Sequence, residues 1–131
     1  MYLLDTNICV YVIRKRPESV YRRLSNIGER GVAISVVTAF ELEVGALRFQ
    51  GQHYSEAVRL LIAELPVLPL EDSARTAYGQ LRTVLERRGE VIGAYDMLIA
   101  AHALTLNATL VTNNEKEFNR VRGLKVENWV F

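Results

Sequence analysis

Four short apolar runs, separated by longer stretches of helical spacing, constrain this chain more than any other feature. Tyr2-Leu3-Leu4, Val32-Ala33-Ile34, Val67-Leu68 and Thr109-Leu110-Val111 read as strands. Between them, apolar residues recur three and four apart: Val58, Leu61, Ile62 and Leu65 within Tyr54 to Leu65, and Leu81, Val84 and Leu85 within Glu71 to Arg88. Pro17 suits the first turn of a helix through Val20, Leu24 and Ile27, which Gly28 or Gly31 ends. Gly89 and Gly93 bracket a break before a last long helix, Ala94 to Leu106. Strands that alternate with helices need crossover connections, so the pattern predicts an α/β fold with a mainly parallel sheet covered on both faces. With 131 residues and no repeat, linker or low-complexity tract, the expectation is one domain spanning 1–131.

Composition excludes several classes. No apolar run approaches the roughly 20 residues of a membrane helix, and the N-terminus lacks the layout of a signal peptide. Cys9 is alone and forms no internal disulfide, so a cytoplasmic location is expected. The net charge of +1 makes the molecule no general sink for nucleic acid. Its basic residues nevertheless cluster at Arg14-Lys15-Arg16, Arg22-Arg23, Arg87-Arg88 and Lys116, Arg120, Arg122 and Lys125, as local phosphate-facing patches do. Any one cluster taken alone is better explained as a solvated helix face.

In open parallel sheets, sites form beyond the carboxyl ends of the strands, near the point where strand order reverses. Acidic and amide residues stand at those places. Asp5 follows the first strand, where capping of the helix from Ile8 to Ile13 would also account for it, though Thr6 and Asn7 offer caps as well. Glu41 follows the second strand, and its spacing from Thr38 is that of a capping box. Glu43 falls about 200° away round that helix and faces solvent. Asp96 opens the most apolar helix and shares a face with Ile99, Ala100 and Ala103, a costly place for a carboxylate with no cationic neighbour. Asn114 and Glu117, behind the fourth strand, are three apart and share a face of a helical turn.

Each of these positions has a bland explanation alone. Together they are carboxylates converging with no positive side chain among them, and such a group calls for a cation. An all-oxygen set suits Mg²⁺, or Mn²⁺, better than zinc, for which one cysteine and two histidines in different helices (His53 and His102) are a poor ligand set. His102 reads as a structural or surface residue of its helix. A nucleophile elbow, a Walker A loop and a G-x-G-x-x-G fingerprint are all missing from the sequence.

Four blocks in order, LLDTN, ISVVTAFELEVGA, GAYDMLIAAHAL and LVTNNEKEFNRVRGLKVENW, resemble those of the PIN-domain nucleases, and within them the VapC-type toxins of bacterial toxin–antitoxin pairs. The resemblance implies a three-layer α/β/α sandwich, a Mg²⁺-dependent endoribonuclease activity and a homodimer. It also implies inhibition by a VapB-type antitoxin lying over the first two helices, where Tyr11, Val12 and Ile13 offer apolar surface. Asp5, Glu41 and Asp96 fall on the family's three acidic metal positions. Asn114 stands where many members have a fourth acid, and Glu117 lies one turn on. Thr6 and Thr112 match the family's hydroxyl positions. The implied chemistry is hydrolysis of a phosphodiester by metal-activated water, with Asp5 and Asp96 as direct ligands, Glu41 acting directly or through water, and Asn114 and Glu117 in the outer shell. The closing block is most like that of members that cleave initiator tRNA.

Other readings fare worse. A haloacid-dehalogenase-like phosphatase needs a second acid two residues after the first, where Asn7 stands. A receiver-like phosphoacceptor domain needs an acidic pair after strand one and a lysine at a late strand end. A PIN fold with lapsed catalysis, kept for partner binding, rests on Asn114 alone.

Overall fold

A computed structural model describes residues 1–28, 31–48 and 51–131. Five strands form one sheet: β1 (Tyr2–Leu4), β2 (Val32–Ser35), β3 (Val67–Leu68), β4 (Thr109–Val111) and β5 (Lys125–Glu127). They lie in the order β3-β2-β1-β4-β5, and every pair is parallel. The helices are α1 (Thr6–Arg14), α2 (Glu18–Ile27), α3 (Val36–Arg48), α4 (Gln52–Glu64), α5 (Arg75–Arg88), α6 (Ala94–Leu106) and α7 (Glu115–Phe118). No described helix is long and apolar enough to cross a membrane.

The layers follow from the two-residue period of the strands. Leu3, Ala33 and Leu110 point to one face and pack with Leu81 and Leu85 of α5 and Ile99, Ala100 and Ala103 of α6. Leu4, Ile34 and Val111 point to the other and meet Ile8 and Val12 of α1, Val20 of α2 and Val58 and Leu61 of α4. Helix α3 divides itself, giving Val37 to the first cluster and Leu42 to the second. The result is the expected three-layer sandwich.

Four strands stand where the apolar runs place them, and α6 has its expected bounds. Other boundaries differ. Pro17 is the residue before α2 rather than in its first turn, and Gly28 ends that helix with φ +78°. The segment from Glu71 begins as a 3₁₀ turn at Asp72–Ala74 before α5 starts at Arg75. Helix α3 starts at Val36, and the Ser35 hydroxyl accepts a hydrogen bond from the Val37 N–H at 3.1 Å. The Thr38–Glu41 capping box is therefore overturned: Thr38 lies inside the helix, with its hydroxyl oxygen buried and unpartnered. Val12 is buried in the protein's own core, with Tyr11 and Ile13 packed against that cluster.

Candidate metal centre

The sheet order turns back on itself at β1: the chain runs outward through β2 and β3, then crosses to β4 on the other side. Leu4 is in register with Ile34 on one side and Val111 on the other. The next residues, Ser35, Asp5 and Thr112, therefore stand in a row across the carboxyl edge. All three are buried, at 0 %, 4 % and 0 % exposure. Thr38 on α3 and His102 on α6 complete the buried polar side chains of the described residues. Polar burial in this molecule is concentrated at the switch-point edge and on the two helices flanking it.

Asp5 is itself the N-cap of α1: its carboxylate accepts from the Ile8 N–H at 2.9 Å, and its own N–H donates to Val111 O at 3.0 Å. The Thr112 hydroxyl also bonds this carboxylate. Thr6 is not the cap and does not orient Asp5. It is the first residue of α1, and its hydroxyl donates to Glu41 Oε1 at 2.6 Å, joining α1 to α3. Glu41 thus lies in the second turn of α3, turned inward, while Glu43 is exposed as its spacing requires.

Asp96 is half-buried in the first turn of α6. A Cβ placed on Gly93, the residue before that helix, would stand 3.2 Å from Asp96 Oδ2, so glycine there leaves room for the carboxylate. Asn114 precedes α7, and its amide donates to Glu117 Oε2 at 2.8 Å, while its N–H is held by the Thr112 hydroxyl at 2.9 Å. Asn114 is thus a hydrogen-bond partner of the Glu117 carboxylate.

The electrostatics tie these groups together. Burial, opposed by the Thr112 and Ile8 bonds and reinforced by the charges of Asp96 and Glu41, pushes the Asp5 carboxyl up to about 6. Burial and the charges of Glu41 and Glu117 push Asp96 up to about 6 as well. Among the described residues none of the four carboxylates makes an ion pair. Negative charge is therefore gathered at one edge with no ion pair among the described residues to offset it, and the donors it supplies are oxygens. That donor chemistry fits a hard divalent cation. Among the described residues no three of the acids stand at a common liganding distance; Glu41 is turned onto Thr6 and Glu117 onto Asn114. Cys9, buried and free on α1, has its thiol pushed up by burial and by the Asp5 charge, which keeps it a neutral core residue.

The sequence positions Asp5, Glu41, Asp96, Asn114 and Glu117 thus share one edge of the sheet. Their hydroxyl partners are set by tertiary pairing, which spacing does not reveal. Ser35 escaped notice too, although a serine closing an apolar run just before a helix is a cap signal.

Comparison with known proteins identifies the family. The model of the PIN domain family matches residues 2–124. Ribonuclease VapC2 of Rickettsia felis is 41% identical over 131 residues, covering 98% of each chain. The tRNA(fMet)-specific endonuclease VapC of Shigella flexneri is 40% identical over 129 residues, covering 98% of this chain and 97% of its own. The crystal structure of VapBC2 from Rickettsia felis, bound to a DNA fragment from their promoter, superposes with a TM-score of 0.91 over 98% of both chains at 41% identity.

Proposed function

Because the chain belongs to the PIN-domain family, among the VapC ribonucleases, we propose that it is a divalent-metal-dependent endoribonuclease toxin silenced by a VapB-type antitoxin. The observation that carries this reading is the gathering of Asp5, Glu41, Asp96 and Glu117, free of ion pairs, at the switch-point edge of the sheet. Asp5, Asp96 and Glu41 are the groups that would hold the cation, for which Mg²⁺ is our assignment and Mn²⁺ the nearest substitute. When bound, such an ion supplies an activated water and offsets the charge that develops on a phosphodiester under attack.

The remaining roles belong to the chain's own residues. Asp5 is fixed through its backbone and its carboxylate and serves as the rigid wall of the site. Glu41 is held by the Thr6 hydroxyl and would turn to the pocket to meet the cation. Glu117, steered by Asn114, completes the acidic rim at the α7 side. The exposed Arg14-Lys15-Arg16 group at the end of α1 is a place for the RNA backbone, giving affinity with little sequence readout. We propose initiator tRNA as the substrate, supported by the tRNA(fMet)-specific relative, and the cytoplasm as the place of action of this single-domain chain. The retained acids and the support Asn114 gives Glu117 speak against lapsed catalysis. The test is incubation of purified protein with total tRNA and Mg²⁺ or Mn²⁺, with cut ends mapped by sequencing. A single dominant cut in initiator tRNA, absent from the Asp96→Asn protein, is expected; intact tRNA under all conditions refutes the proposal.

A further inference from the structure

Helix α6 is apolar on nearly every side. Met97, Ile99, Ala100, Ala101 and Ala103 are all buried, and three of them are alanines. Small side chains of this kind give shallow ridges, and apolar burial has no direction, so a directional contact adds to what packing fixes. The helix carries Asp96, whose usefulness depends on where it stands relative to Glu41. A directional contact would fix that setting more closely.

His102, six residues after Asp96 and 2 % exposed, is placed to do so. Its Nδ1 lies 2.8 Å from the Ser35 hydroxyl. The ring also hydrogen-bonds the backbone of Pro69, which follows β3. Proline has only a carbonyl to offer, so the ring donates there. Burial holds His102 below the ordinary histidine range, against the carbonyl of Pro69 and the nearby Glu71 carboxylate, so the ring is neutral. A neutral ring that donates to Pro69 has an acceptor left for Ser35. The Ser35 hydroxyl meanwhile accepts from Val37 N–H at the start of α3. With the ring proton on Nε2, the bonds run one way, from Val37 N–H to Ser35, from Ser35 to His102 Nδ1, and from the ring toward the Pro69 carbonyl. They link α6 to the junction from which α3 departs toward Glu41.

We propose that His102 is a positioning residue that holds α6 at one rotational and axial setting against the β2–α3 junction, and so fixes Asp96 relative to Glu41. The proposal rests on the nuclease reading only for its kinetic consequence. Two measurements test it. In the metal-free wild-type protein, long-range ¹⁵N correlation of the His102 ring reads the tautomer: a proton on Nε2 is expected, and a proton on Nδ1 overturns the proposal. In the kinetic test, His102→Leu, Ser35→Ala and the double variant are compared for RNA cleavage and for the rise in Tm on adding Mn²⁺. Misplacing a reacting group by about 1 Å costs up to about 100-fold, so kcat should fall roughly 10–100-fold in each single variant with KM nearly unchanged. The double should be no worse than the worse single, the Mn²⁺-induced rise in Tm should shrink, and His102→Asn, which keeps an acceptor for Ser35, should recover most of the rate. A folded His102→Leu protein with wild-type kcat and wild-type Mn²⁺ response overturns the proposal, as do losses that add in the double. A wild-type chain with neither cleavage nor Mn²⁺ response refutes the nuclease reading, and the tautomer then judges the role of His102 by itself.

Discussion

Asp5→Asn should destroy RNA cleavage and yet make the metal-free protein more stable. The Asp5 carboxyl is pushed from 3.8 to about 6, first by burial and then by its acidic neighbours. A folded-state value above the unfolded one means the folded protein holds the proton more tightly. Raising the pH through the interval from 3.8 to about 6 therefore removes stability, and the full loss is present at neutral pH. A shift of roughly two units corresponds to about 3 kcal/mol at about 1.4 kcal/mol per unit. Asparagine removes the charge but keeps an oxygen for the Ile8 N–H, and it is as good an N-cap as aspartate. Loss of the charge–dipole attraction at the start of α1 returns about 0.3–1 kcal/mol of the gain. The net expectation is about 2 kcal/mol, or about 6–10 °C in Tm for a chain of this size. The assay is thermal unfolding by circular dichroism in EDTA, near pH 7.5 and again at about pH 4.5, where the advantage of the variant should fall to less than half. Saturating Mg²⁺ should raise wild type toward the variant, since ligand binding stabilises only the protein that retains the site. A variant less stable than wild type near pH 7.5, or an advantage independent of pH, would refute the reasoning.

The remaining expectations are more direct. RNA cleavage should fall as pH drops through about 6, because Asp5 and Asp96 both take up protons there and cease to attract a cation; a pH–rate profile flat from about 7.5 to 5 counts against these acids as the site. Asp96→Asn should abolish cleavage with the circular dichroism spectrum unchanged, as an amide in its place brings no charge to the pocket. Gly93→Ala should lower cleavage several-fold without unfolding the protein, since its methyl group would stand 3.2 Å from Asp96 Oδ2; measured kcat equal to wild type would show that the carboxylate has room to spare. Phe118→Ala should cost about 3–5 kcal/mol in urea unfolding, because this ring is 1 % exposed in the core against the α5–α6 face of the sheet.

Much of the fold was legible because its central strands are short apolar runs buried on both faces, and such runs stand out from amphipathic helices. The fifth strand was not, because Lys125–Glu127 places one valine between two charged residues; an edge strand tolerates that, and it carries no hydrophobic signature. The start of α3 was misjudged for a related reason. Val36 and Val37 continue the β-branched run of β2, and only the Ser35 hydroxyl marks the change from strand to helix. At the site, the acids were legible as charges placed where a parallel sheet ends. Their partners were not: Thr6 meets Glu41 across 35 positions, and that pairing exists only once α1 and α3 have packed. Local capping rules favoured Thr38 and left Asp5 undecided; in both places a local bond decides, Ser35 to the Val37 N–H and Asp5 to the Ile8 N–H.

The pairing of the first strand with the fourth also sets a timetable. Tyr2 lies opposite Thr109, and the acids at positions 5 and 117 come from the two extremes of the chain. During synthesis β1 meets β2 early, but its second neighbour, β4, is made near the end. No nascent fragment that stops short of β4 has both walls of the pocket. The acidic edge is thus completed only when synthesis of the chain is nearly finished.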